Sequence, residues 1–365
     1  MLFAGKLYGK EKKWEFGTLF ALCDSAQTEG RALFYALKYK YLLPPISCGI
    51  FLSSKESRES NRALALEFSG QLPRTFIASQ IVFTQYKENE GIALNCGARC
   101  FFKKFLAVGG LSYASSQFYV DEIGYSQLLA GEANMWMFIG PFFFFINKIQ
   151  TLYPYGGFYF HRDEIDLPMS RYMIIGTSMN FVGGHRFELM FMGGSSWIAP
   201  ADSIIHFTGL HQLLHLSIRI SPIAKLRFVE NWLYDWNYMK NYLAHYLIFN
   251  FGGYIKLLKR VSFNMENTIC IEFNPENNIE EITFVFLPRL LFQLSPHISI
   301  NLYSNPVKLT HLNFLSNRFG LLFSYRIKPK SFLYIAFNDY REKFNHKWEL
   351  KERTSVIKIK YLLYF

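Results

Sequence analysis

The chain has 365 residues, half of them hydrophobic, yet its mean hydropathy is only +0.06, too polar for a bundle of membrane helices. Aromatic residues reach 18%, with 38 Phe and 23 Tyr, a bias towards strands, while charged residues make up only 18%. The net charge of +11 is carried by basic residues scattered singly through alternating segments. That pattern argues against nucleic acid as a partner and for an anionic membrane surface or a lysine-lined lumen.

The opening MLFAGKLYGKEKKWEFG lacks the apolar core of a signal peptide and enters strand pattern at once, so the chain is expected to be unexported or to start downstream of its natural beginning. Strands are predicted at 14–23, 34–43, 47–54, 62–69, 75–83 and 92–102. Tight connections (KEKK, PPI, KK) alternate there with longer polar ones (DSAQTEGRAL, KESRESN, QYKENEG). The most apolar run, 135–149, falls short of the ~20 residues a spanning helix needs and carries Gly140-Pro141 at its centre. It is expected to be a strand, a break and a second strand. Residues 228–249 read as a hairpin around YDWNY, with an amphipathic helix as the alternative.

Towards the end, strands are predicted at 282–294, 297–303, 318–327, 332–338 and 353–365. Short turns (SP at 295–296, KPK at 328–330) alternate with long connections at 304–317 and through NDYREKFNHKWELKE. In 353–365 one face takes Ser355, Ile357, Ile359, Tyr361, Leu363 and Phe365, and the other centres on Lys358 and Lys360. An edge of that kind invites aggregation unless it is paired or set in lipid. The fold class predicted is therefore all-β: an antiparallel transmembrane β-barrel of roughly 16–20 strands spanning 1–365, with short periplasmic turns and longer extracellular loops.

Little in the chain reads as chemistry. His211 and His215, at i and i+4, have the histidine spacing of a metalloprotease helix, but Gln212 stands where a catalytic glutamate would be, and on a strand the pair is too far apart to chelate one metal. Asp163, Glu164 and Asp166 read as a solvated loop, and the glycine pairs near 183 and 193 read as turns. Cys23, Cys48, Cys96, Cys100 and Cys270 form no disulfide framework and read as small apolar residues. No catalytic, cofactor or metal set is predicted.

The C-terminal hundred residues resemble the barrel domain, of unknown function, of bacterial outer-membrane proteins that carry an N-terminal carbohydrate-binding module of family 9. The likeness rests on Ser295, Pro296 and Tyr303; on Tyr325, Arg326, Pro329, Ser331, Leu333 and Asn338; and on Leu350, Arg353, Lys358, Tyr361, Leu362 and Phe365. Gly5, Lys6, Gly9, Lys10, Trp14, Gly17 and Ala21 are similar to an internal strand pair of the same family. Residues 120–260 match poorly, and the family's leader and sugar-binding module are not in this sequence. The resemblance implies a porin-like, non-enzymatic protein of a Gram-negative outer membrane, an anchor or channel associated with carbohydrate handling. Its partners would be outer-membrane lipid, the barrel assembly machinery and a carbohydrate or anionic solute. Tyr361, Leu363 and Phe365 would form the assembly signal, and Arg326, Lys358 and Lys360 would face the lumen. Two rivals remain. A barrel-borne surface hydrolase requires His161, Asp163 and Asp166 to converge with another His or Ser, and a soluble or inner-membrane mixed fold requires helices at 135–149 and 228–249.

Overall fold

Side-chain alternation with a period of two prescribes extended backbone, and strands dominate the computed structural model, which describes residues 3–25, 30–120, 129–163, 166–200, 203–310, 315–329, 331–344 and 347–361. In chain order they are β1 (Phe3–Lys10), β2 (Trp14–Ser25), β3 (Gly30–Leu43), β4 (Ile46–Glu56), β5 (Asn61–Leu72), β6 (Thr75–Tyr86), β7 (Asn89–Phe102), β8 (Phe105–Ala114), β9 (Ala133–Pro141), β10 (Phe143–Ile146) and β11 (Ile149–Arg162). They continue as β12 (Ser170–Phe181), β13 (Arg186–Ile198), β14 (Ile205–Ser221), β15 (Ala224–Asn237), β16 (Tyr242–Leu258), β17 (Val261–Phe273), β18 (Ile279–Gln293), β19 (Ile298–Leu309), β20 (Leu315–Lys328), β21 (Ser331–Phe344) and β22 (Lys347–Lys360). There is no helix among the described residues. The 22 strands exceed the predicted range because β11 to β14 occupy the stretch where alternation is weakest. Helices at 135–149 and 228–249, which the mixed-fold rival needs, are replaced by strands.

The chain divides into two compact units, one of residues 1–143, 153–175 and 192–208, the other of 144–152, 176–191 and 209–365. In the first, β1 to β9 each pair antiparallel with the next strand, and β9 pairs directly with β11. β9 runs through Gly140 and Pro141, which still pair with Leu106 and Phe105, and β10 starts at Phe143, so the interruption falls at Phe142, one residue after the expected Gly140-Pro141 step. Lys87 and Lys103 open two-residue hairpins at φ 56° and 53°, the left-handed conformation such turns demand. Beyond β8 the chain folds back, and Phe118 and Val120 bury themselves with Ala63, Ala93 and Ala114. Gly91 permits this: a Cβ there would meet the Phe118 backbone at 2.5 Å.

In the second unit β14 to β22 form a continuous antiparallel ladder. The predicted hairpin is β15 and β16, turning at 238–241. Residues directly opposite one another share a face, so β19 to β22 can be read row by row. From the short-turn end, one face carries Ile298, Tyr325, Leu333 and Ile359; then Ile300, Phe323, Ile335 and Ile357; then Leu302, Leu321, Phe337 and Ser355. Ile357 and Ile359 remain 72% and 68% exposed, so no described residue covers the face there, and it wants an apolar medium. The other face carries rows such as Ser299, Ser324, Tyr334 and Lys358, and Tyr303, Gly320, Asn338 and Thr354.

Candidate functional site

The polar face of β15, β16 and β17 holds an open hollow in the second unit. Arg227 stands opposite Gly252, and Gly252 opposite Glu266. One row towards the turn at 222–223, Lys225, Tyr254 and Asn264 align, and one row away, Val229, Asn250 and Thr268 align. Because Gly252 projects no side chain, the wall is recessed there, giving an open cleft of about 430 Å³ bordered by Arg227, Glu266 and the polar residues around them. That volume lies within the roughly 300–1,000 Å³ of small-molecule sites. A second cavity of about 320 Å³ shares Lys225 and Tyr254 and adds Arg219 and the Gly184 turn.

Arg219, Lys225 and Arg227 make no ion pair with an acid among the described residues. Their field is therefore free to act on an anion. Tyr254, Asn250, Asn264 and Thr268 supply hydroxyl and amide groups of both hydrogen-bonding senses, and Glu266 accepts from a hydroxyl. The set suits an anionic, hydroxyl-bearing solute and contains no nucleophile with an adjacent base.

The residues expected from sequence occupy the same face nearer the C-terminus. Arg326 and Lys360 both stand opposite Phe332, and Lys358 opposite Tyr334. Tyr361 lies beyond β22, where Lys328 Nζ donates to its hydroxyl at 2.8 Å and sits over its ring. Leu363 and Phe365 lie outside the described residues. The turn before β19 is closed by Ser295 Oγ, which accepts from the backbone N–H of His297 and Ile298, each at 3.1 Å. Sequence reasoning missed Arg227, Gly252 and Glu266, which only the pairing of three strands brings together.

The hydrolase rival fares differently. His161 Nε2 lies 2.5 Å from Asp163, and its other ring nitrogen reaches Asn134, to which Tyr159 also donates. Asp166 is exposed and forms no described contact with them, and Glu164 lies outside the described residues. The serine of that neighbourhood, Ser196, accepts from the Tyr172 hydroxyl at 2.8 Å. A separate pair, Ser195 and His206 at 2.8 Å, has Trp197 against the imidazole and no described acid to orient it. His211 and His215 go to separate partners, Asn231 at 3.4 Å and Glu188 at 3.7 Å. No group of metal-ligating side chains is formed among the described residues, and the five cysteines are free thiols.

No family model matches the sequence, and no curated protein matches it either. Solved structures do. The chain superposes on the ferric enterobactin receptor of Pseudomonas aeruginosa with a TM-score of 0.61 at 8% identity, covering 95% of this chain and 73% of that one. A siderophore receptor of Acinetobacter baumannii gives 0.63 at 8% identity, with 94% and 73% covered. The ferric preacinetobactin receptor of the same organism gives 0.57 at 8% identity, with 97% and 77% covered. This is the fold of an outer-membrane β-barrel. Barrels of that fold set apolar strand faces against lipid and polar ones towards the interior.

Proposed function

We propose that the chain is an integral barrel of a Gram-negative outer membrane, non-enzymatic, that anchors at the surface or passes a carbohydrate or an anionic solute along a basic lumen wall. The observation that carries this reading is the cleft over Gly252, with Arg219, Lys225 and Arg227 unneutralised beside a set of hydroxyl and amide groups. Arg326, Lys358 and Lys360 add basic groups near the short turn that joins β20 to β21 and at the end of β22. The likeness of the C-terminal residues to barrels joined to family 9 carbohydrate-binding modules supports a sugar as the solute, and the terminal strand supports delivery by the barrel assembly machinery.

The test begins with chain refolded in detergent that migrates faster unboiled than boiled. Binding of an oligogalacturonate is compared with that of its neutral methyl ester, in the native chain and in Lys225→Gln/Arg227→Gln. Preference for the anion, lost in the variant, is the expected result. Equal affinity for both sugars, or no loss in the variant, would reject the reading. A second reading, capture of an anionic ferric chelate, draws on the same cations and on the ligands named for the structural neighbours. A ferric catecholate placed in the same assay separates the two.

A further inference from the structure

The rows on the apolar face change character abruptly above Leu302, Leu321, Phe337 and Ser355. The next row holds Ser304, Phe319, Asp339 and Arg353; the next Pro306, Asn317, Arg341 and Leu350; and the last includes Lys308, Lys343 and Trp348. Rows two residues apart lie about 7 Å from one another along the strands, and the switch from apolar to charged rows marks where the apolar face of this wall ends. Four cations stand in these charged rows against one acid, Asp339.

That acid is itself spent. Asp339 is buried, accepting from Arg341 Nε at 2.6 Å and from Arg353 Nη2 at 2.7 Å and Nε at 3.1 Å. Arg353 also lies over the Phe337 ring. One carboxylate thus fixes two guanidinium groups while cancelling one of their charges. Lys308 and Lys343 pair with no acid among the described residues. Phe319 and Trp348, 41% and 46% exposed, flank the cluster as aromatic residues do at a membrane interface.

The geometry points to a binding surface for the phosphate-bearing headgroup of a membrane glycolipid, formed on the outer wall by Arg341, Arg353, Lys308 and Lys343. This rests on the reading of the chain as a membrane barrel. With their Nε–Nη2 edges on Asp339, the two guanidinium groups are held with their Nη1 sides left to donate to phosphate oxygens, and the two lysines add charge beside them. Acyl chains of the same lipid would run down the rows of Leu302, Phe337 and Ile335. A lipid is preferred to a soluble anion because the cations sit directly above those uncovered apolar rows.

The test uses full-length chain refolded in detergent and native mass spectrometry, with bis-phosphorylated lipid A, its dephosphorylated counterpart and inorganic phosphate as probes. The phosphorylated lipid should be retained at least tenfold over the dephosphorylated one, and inorganic phosphate at equal concentration should not displace it. Lys308→Gln/Lys343→Gln, which leaves the Asp339 network intact, should lower retention severalfold. Arg341→Gln/Arg353→Gln/Asp339→Asn, which leaves no carboxylate unpaired, should abolish it. Equal retention of the dephosphorylated lipid, full displacement by phosphate, or variants that bind like the native chain would overturn the proposal. A chain with no heat-modifiable band would instead bring down the barrel reading beneath it; a heat-modifiable chain without phosphate selectivity would deny the headgroup site alone.

Discussion

Tyr303 lies across Gly320 on the neighbouring strand, and its hydroxyl reaches Asn338 one strand further on. A Cβ on residue 320 would collide with the outer part of the ring, so the hydrogen bond exists only because the intervening wall is bare. Gly320→Ala should push the ring aside and break that bond, at a cost of about 1–2 kcal/mol. The measurement is the temperature at which the fast-migrating band is lost. In a Tyr303→Ala background the same substitution should cost almost nothing. An undiminished cost there would mean that backbone, not the ring, resists the methyl group.

Gly252 offers the converse experiment. A Cβ there would lie 3.6 Å from Arg227 Cβ and 3.8 Å from the Met265 carbonyl, ordinary contacts. Gly252→Ala should therefore leave stability and solute binding within twofold of the native chain. Gly252→Trp should fill the hollow between Arg227 and Glu266 and reduce binding at least tenfold while the heat-modifiable band persists. If Trp is as harmless as Ala, the cleft is not where the solute sits.

The legibility of the fold in the sequence differs by region. In 14–102 the alternation of large apolar and small or polar residues is clear, and predicted strands match observed ones to within a few residues, as at 75–83 inside β6. Gly140-Pro141 marks the break to within one residue, since β9 pairs through Pro141 and stops there. Residues 304–317 and NDYREKFNHKWELKE read as long connections, yet β19 runs to Leu309, β21 to Phe344 and β22 starts at Lys347. Beyond the apolar rows both faces are polar, so Arg341, Lys343 and Glu349 leave no period-two signal although their backbones still pair. The cleft is less legible still. Arg227, Gly252 and Glu266 are spaced irregularly in sequence and become neighbours only through the registers of β15, β16 and β17.

Two connections are tied together by charge. Glu59, between β4 and β5, receives Lys87 Nζ at 2.9 Å and the Tyr86 hydroxyl at 2.9 Å. The Lys87 bond, then that of Tyr86, holds the Glu59 carboxyl below its ordinary value, while Glu59 raises Lys87. A carboxylate with a depressed pKa stabilises the folded state above its unfolded value and loses that contribution as pH falls through the folded one. The tie should be fully present above the ordinary glutamate range and be lost as pH falls through the lower folded value. On the basic side, Lys87 keeps it until pH rises beyond the ordinary lysine range. Amide exchange at 57–60, corrected for intrinsic rates, should show an acid step that Glu59→Gln removes. An identical step in the variant would assign it elsewhere.

Ile357 and Val356 are adjacent on β22 and face opposite ways, Ile357 aligned with Ile335 and Val356 with Ala336. If the first face meets lipid and the second a wet lumen, the same substitution at the two sites should have very different costs. Lysine at a lipid-facing position near the bilayer midplane costs about 2–4 kcal/mol, whereas a lumen position solvates it. Ile357→Lys should therefore lower the yield of folded chain in phospholipid vesicles at least tenfold, and Val356→Lys by no more than twofold. The contrast also tests orientation without any ligand, because both variants add one charge to the same strand at the same height. A soluble sheet would respond the other way: Ile357, 72% exposed, would accept lysine readily and gain solubility from it. Equal yields for the two variants would deny that the rows from Ile298 to Ser355 are a lipid face at all.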